Sequence, residues 1–223
     1  MDTLTIRATT AELPVLDADE LTAVRSLGDD GGRLSLFEFA DVSLRTLELA
    51  DAQLFDGRIS AVIAERGHLR DLHLSSVEFI GCDLSQLRWE NSRLHRVRFA
   101  NCKLLGAALT GLSLDDVVFE RCRLDFAEFA AAQAKGAVIF SGCSLPEATF
   151  EGCDLSGAAF DDCNLRATTF GSGTYKATDL RGNDLSGLSG AVNLRKVVID
   201  RHQLTDLAAA WAEDLGIAFG DER

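Results

Sequence analysis

The sequence predicts a solenoid, and three observations carry that prediction. The first is a beat of five. Between residues 143 and 170 a large apolar residue returns at Leu145, Phe150, Leu155, Phe160, Leu165 and Phe170, with a small residue two places before each, at Cys143, Ala148, Cys153, Ala158, Cys163 and Thr168. This period fits neither the helical ~3.6 nor the strand ~2.0, and a fixed internal repeat marks a solenoid. The second is reach. The beat runs unbroken from Leu34 to Ala134, slips by one, resumes from Phe140 to Gly190, and slips back to Leu194 and Ile199. Of these 34 centres 31 are Leu, Phe, Ile, Trp or Tyr, types that fill only 56 of the 223 positions, so the beat is not chance. The third is a longer period of 20. Phe39, Ile59, Phe79, Phe99, Phe119, Phe140, Phe160 and Leu180 form one series, and Leu49, Leu69, Trp89, Leu109, Phe129, Phe150 and Phe170 another, with mostly Leu between, which divides each coil into four sides.

The order small, polar, Leu or Phe, then two polar or small residues resembles the pentapeptide-repeat proteins, whose motif is A(D/N)LXX. CDLSG at 153 to 157 and CNLRA at 163 to 167 are near copies of it. The resemblance implies an all-β solenoid, a right-handed quadrilateral parallel β-helix with four pentapeptides per coil. At four centres per coil, 34/4 gives about eight coils and, at ~4.8 Å each, a rod about 40 Å long.

Residues 1 to 33 precede the beat and are expected to cap the first coil, whose open strand edge and apolar side chains need a lid. Within them LDADELTAVRSLGDDGG reads as a short helix with Asp17 or Asp19 as N-cap, Leu21, Val24 and Leu27 as its apolar stripe, and Gly28 beyond its end. Residues 34 to 199 form the rod. The slip within AAAQAKGAV adds one residue and predicts a bulge, and GSGTY before Lys176 reads as a turn. From 200 to 223 the period becomes helical. Asp200 is a fair N-cap with Gln203 at the capping-box position, so a helix is expected from about Arg201 to Leu215. Its stripe, Leu204, Leu207, Trp211 and Leu215, with Phe219 after it, should cover the last coil or meet a second copy in a homodimer. The expected architecture is thus a β-helix with short helical caps at both ends.

The six cysteines follow the repeat. Cys82, Cys102, Cys122, Cys143 and Cys163 are spaced by 20 or 21 residues in the small inward slot, with Cys153 half a coil away. A reduced, buried column is expected rather than a disulfide framework or a metal site. No leader-like segment opens the chain and no apolar run is long enough to cross a bilayer, so a cytoplasmic protein without membrane contact is expected. The chain carries no nucleophile elbow, phosphate loop or dinucleotide fingerprint. His68, His73, His95 and His202 have no ligand-spaced companions. No enzyme, cofactor or metal is expected.

What remains is charge, a net −13 with pI ≈ 4.7, which disfavours direct nucleic-acid binding. A basic belt, Arg88, Arg93, Arg96, Arg98 and Lys103, interrupts the acid, while Glu147, Glu151, Asp154, Asp161 and Asp162 have no basic neighbour in sequence and Asp115 and Asp116 head another acidic group. The best-described proteins that the chain resembles are DNA mimics that bind DNA gyrase or topoisomerase IV and protect it from antibiotics. The resemblance therefore implies such a partner, with Asp115, Asp116, Glu147, Glu151, Asp154, Asp161 and Asp162 as the residues to meet it. A 40 Å length of duplex carries about 24 phosphates at one per ~1.7 Å, so a rod this mixed in charge suits only part of a DNA-binding groove. The alternative is an interaction scaffold with a partner unrelated to DNA.

Overall fold

Stacking of a coil on its predecessor repeats every 20 residues, and the strand register shows it directly. Leu74 pairs in parallel with Leu54 and Leu94, Phe79 with Ile59 and Phe99, and Trp89 with Leu69 and Leu109. The computed structural model, which describes residues 2–28 and 32–218, is a parallel β-solenoid of about seven turns. The centres define four walls, named here in chain order from Leu34, Phe39, Leu44 and Leu49. Eight-residue strands such as His73–Ile80, Arg93–Ala100 and Ser113–Glu120 run from the first wall across its corner into the second. The fourth wall is a separate seven-stranded sheet. Along the third, single bridges such as Asp83 to Lys103 to Arg123 replace most strands. Beyond Thr174 the strands end and isolated bridges hold the last coil, which is why regular turns number fewer than the centres alone suggest.

The five-residue side forces a turn at each corner, and the residue two places after a centre commonly takes it in the left-handed conformation. Asp41, Ala61, Gly81, Asn101, Arg121, Gly142 and Asp162 do so after the second wall. Asn, Asp and Gly tolerate that region best, which accounts for their recurrence in the slot. The extra residue after Ala134 sits between two intact pairings, Leu114 with Ala134 and Val117 with Val138. Its bulge is seen in the Lys135 and Gly136 amides, both directed at the Leu114 carbonyl.

Inside, the aromatic centres make a herringbone. Phe79, Phe99, Phe119, Phe140 and Phe160 stack at centroid spacings of 4.6 to 4.9 Å, and Phe129, Phe150 and Phe170 stack opposite. The two columns meet edge to face, as where Phe129 faces Phe140 at 5.9 Å and 85°, a geometry that aromatic quadrupoles favour. All six cysteines are buried and free. Each thiol donates to a centre's carbonyl in the coil before, for example Cys122 Sγ to Phe99 O at 3.4 Å and Cys153 Sγ to Phe129 O at 3.3 Å. Burial pushes the Cys153 thiol up to about 11.

The N-terminal helix is not formed. Residues 15 to 28 run through turns into Thr22–Ala23, which pairs in parallel with Phe37 and Glu38 and extends the sheet by one step. Val24 N donates to Glu38 O at 2.8 Å, and Leu27 is buried in the core. The open edge of the first coil offered this segment backbone partners that a helix could not use, and tertiary pairing outweighed local propensity. Ahead of it lies an element the sequence reading lacked, an antiparallel hairpin of β1 (Asp2–Ile6) and β2 (Thr9–Leu13).

The C-terminal end follows expectation more closely. A 3-10 turn, Arg201–Gln203, leads into helix α1 (Leu204–Asp214), and Asp200 and Gln203 complete the capping box. Gln203 Nε2 also donates to Leu180 O at 2.9 Å and Asn183 O at 2.6 Å, closing carbonyls of the final coil. Leu207 is buried and Trp211 Nε1 donates to Ala191 O at 2.6 Å, so these two members of the stripe serve the cap. Leu204 and Leu215 remain 55% and 65% exposed. Phe219 lies outside the described residues.

Candidate partner-binding surface

The outward slot before each centre of the second wall reads Glu38, Arg58, Glu78, Arg98, Val118, Ile139, Ala159 and Asp179 up the rod. Opposite charges one coil apart make the first four a ladder. Arg58 reaches Glu38 at 4.0 Å and Glu78 at 3.3 Å, and Arg98 lies between Glu78 at 3.3 Å and Glu120 at 2.6 Å. Burial works against the Arg98 charge, but these two carboxylates outweigh it and hold its pKa above the ordinary arginine value. Val118, Ile139 and Ala159 break the ladder, and three apolar side chains in a solvent slot require a cover. The hairpin supplies it, because Ala11 packs on them until all four are fully buried, with Leu4, Ile6 and Leu13 around them. Polar contacts seat it at both margins. Arg7 pairs with Asp161 at 2.9 Å and Asp179 at 3.6 Å, and Thr9 Oγ1 donates to Gly157 O at 3.0 Å. Burial tends to raise Asp179, yet its hydrogen bonds with Arg181 and the nearby Arg7 charge hold it below the usual carboxylate range.

The seven candidate carboxylates do not share one wall. Asp115 lies on the first wall and Asp116 at the corner beyond it, beside His95, whose Nδ1 is 3.1 Å from Asp115 Oδ2. His95 is therefore not isolated, as a linear reading has it, because 20 residues of separation bring it over Asp115. Glu147 takes the left-handed corner after the third wall, Glu151 accepts from Ser172 Oγ at 2.5 Å on the fourth, and Asp154 accepts from Ser156 Oγ at 2.7 Å on the first. Asp161 and Asp162 end the second wall and turn its corner. The run from 147 to 162, contiguous in sequence, thus wraps three sides of a coil. Among the described residues Glu147, Glu151, Asp154 and Asp162 make no ion pair, whereas Asp161 is met by Arg7.

Three of the five residues of the basic belt are engaged, two within the rod and one by the hairpin. Arg98 is taken by Glu78 and Glu120, Lys103 by Asp83 at 3.1 Å, and Arg96 lies 3.9 Å from Glu12 of the hairpin. Arg88 and Arg93 make no ion pair among the described residues, and Arg93 lines an open corner cleft of about 350 Å³ with Asp51, Asp71, His73 and Asn91. Sequence reasoning missed Arg7 and Glu12, which touch this surface from the far N-terminus. The signal that could have found them was the apolar triplet at Val118, Ile139 and Ala159, each 20 or 21 residues from the next.

Residues 59–129 match the family model described as pentapeptide repeat region, and residues 140–171 the model of pentapeptide repeats in eight copies. No curated protein matches the chain by sequence. Among solved structures it is similar to full-length QnrB1, a plasmid-mediated fluoroquinolone resistance protein, at 18% identity and TM-score 0.45, covering 81% of this chain and 100% of that one. A trypsin-treated form of QnrB1 gives 21% identity, 80% and 99% coverage and TM-score 0.45. HetL, a pentapeptide repeat protein involved in heterocyst differentiation regulation from the cyanobacterium Nostoc sp., gives 16% identity, 74% and 86% coverage and TM-score 0.20.

Proposed function

We propose, from the premise that this chain belongs to the pentapeptide-repeat family, that it is a non-enzymatic binding rod whose acidic surface engages a basic groove of a DNA-handling enzyme. DNA gyrase or topoisomerase IV is the partner the family resemblance implies. One observation supports the reading above the rest. Glu147, Glu151, Asp154 and Asp162 make no ion pair among the described residues, while Arg98 and Lys103 of the basic belt are held by Glu78, Glu120 and Asp83, so these four carboxylates are presented without an ion-paired cation on a rigid surface. Such a field steers a basic partner and favours part of a DNA-binding surface over its whole length. We also infer that two copies meet end to end through the exposed Leu204, Leu215 and Ile217, which would lengthen the rod presented to a partner.

The test is a gyrase supercoiling assay with and without a quinolone. The full-length protein should shift the drug concentration that inhibits the enzyme, and the shift should fade when Glu147, Glu151, Asp154 and Asp162 are replaced by Gln or Asn. No effect at micromolar protein would overturn this partner. The second reading, a scaffold for a partner unrelated to DNA, is favoured by the spread of the acids over several walls, since a partner gripping one wall meets few of them.

A further inference from the structure

The corner where the first wall turns into the second brings together three side chains able to ligate a metal. His95 and Asp115 stand in register one coil apart, and Asp116 follows as the corner residue with φ 54°. One ligand atom of each lies within 4.8 Å of the other two. We propose that His95, Asp115 and Asp116 form a binding site for a divalent transition-metal ion, with zinc the ion best suited to one imidazole nitrogen and two carboxylate oxygens.

The geometry supports this in three ways. Zinc binds such nitrogen and oxygen atoms at about 2.0 to 2.2 Å, so ligands sharing one ion stand ~3 to 4 Å apart, and the three partly exposed side chains reach that separation by small rotations. His95 is held on both sides by parallel pairing, with Ser75 and Asp115, and that pairing also fixes the backbone of Asp115 on one side, so the ligands' origins are set before an ion arrives. In the coil after Asp115 the chain places Gly136, where any Cβ would overlap the Asp115 carboxylate, so the wall is cut back at this point to make room for it.

Charge supports it as well. Asp115 and Asp116 bring two carboxylates together beside His95, and Glu12 of the hairpin reaches the neighbouring Arg96 at 3.9 Å. A cation between Asp115 and Asp116 would relieve their mutual repulsion and fasten two coils beneath the seat of the hairpin.

The experiment titrates the full-length protein in reducing buffer with Zn²⁺ by calorimetry and with Co²⁺ by absorption, because cobalt separates thiolate from imidazole and carboxylate ligation. One equivalent should bind, with no thiolate-to-metal charge-transfer band, and an equal concentration of Mg²⁺ should not displace it, since an imidazole donor disfavours hard cations. His95→Ala and Asp116→Asn should each weaken binding about tenfold or more while melting, without metal, at the wild-type temperature. If His95→Ala melts lower, His95→Gln takes its place and the same loss is required. Absence of saturable binding, equal binding by both variants, or a thiolate band from the buried cysteines would overturn the proposal.

Discussion

Phe119 shows what a single residue does in this rod. Its ring stacks on Phe99 at 4.8 Å and Phe140 at 4.9 Å and meets the edge of Phe129 at 6.2 Å. No side chain can move into the gap its loss would leave, because the coils on either side fix the backbone. Phe119→Ala should therefore cost about 3 to 5 kcal/mol, read as a lowered midpoint in urea, and a wild-type midpoint would contradict the inward assignment. Volume is matched at this scale too. Phe37 fills a slot usually occupied by a small residue, and Gly57 stands one coil on, where a Cβ would overlap the Phe37 ring. Asp179 sets a pH dependence whose sign follows from its depressed pKa. The folded state favours the carboxylate, so its contribution is complete above the unfolded carboxylate pKa of ~3.9 and is lost as pH falls through the lower folded value. Asp179→Asn should cost about 1 to 2 kcal/mol at pH 7, and the gap to wild type should close in acid. A gap that persists there would mean that packing, not charge, holds the site.

The hairpin and the terminal helix do different work on one principle, that a solenoid must cover what its repeat leaves open. Ile139→Lys places a charge beneath Ala11, so the hairpin should detach while the rod stays folded. Limited proteolysis should then cut between residues 14 and 28 far faster than in wild type, and unchanged cleavage would show that Arg7 and Thr9 suffice to hold it. For the helix, a chain ending at Ile199 loses Gln203 from the final carbonyls and Trp211 from Ala191, and should aggregate or yield a less stable monomer. Sedimentation of the full-length protein should show a dimer that Leu204→Lys with Leu215→Lys disperses, and a monomer at high concentration would make the helix a cap alone. The sequence showed the helix and its capping box because those signals are local. It showed the rod because Leu and Phe recur at a period that neither a helix nor a strand has. Thr22 and Ala23 pair with a strand 15 residues away, and helix-like spacing at Leu21, Val24 and Leu27 concealed this. The seat of the hairpin was legible only as an oddity, three apolar residues in a charged column. The neighbours of His95 became visible only once residues 20 apart were laid side by side.

At the scale of the whole molecule the rod is a stiff carrier of net negative charge, on which Glu147, Glu151, Asp154 and Asp162 make no ion pair among the described residues. That arrangement predicts association governed by long-range attraction, and it predicts that replacing carboxylates at solvent slots changes binding without changing stability. The most direct measurement is the affinity of the full-length protein for DNA gyrase across a salt series in which the Debye length shrinks from ~10 Å to ~3 Å, made in parallel with the quadruple variant Glu147→Gln, Glu151→Gln, Asp154→Asn and Asp162→Asn. The acidic-surface account predicts binding that weakens steadily with salt, a variant that binds weakly at every salt concentration, and equal melting temperatures. Binding that ignores salt, or a variant that binds gyrase as well as wild type, would contradict it.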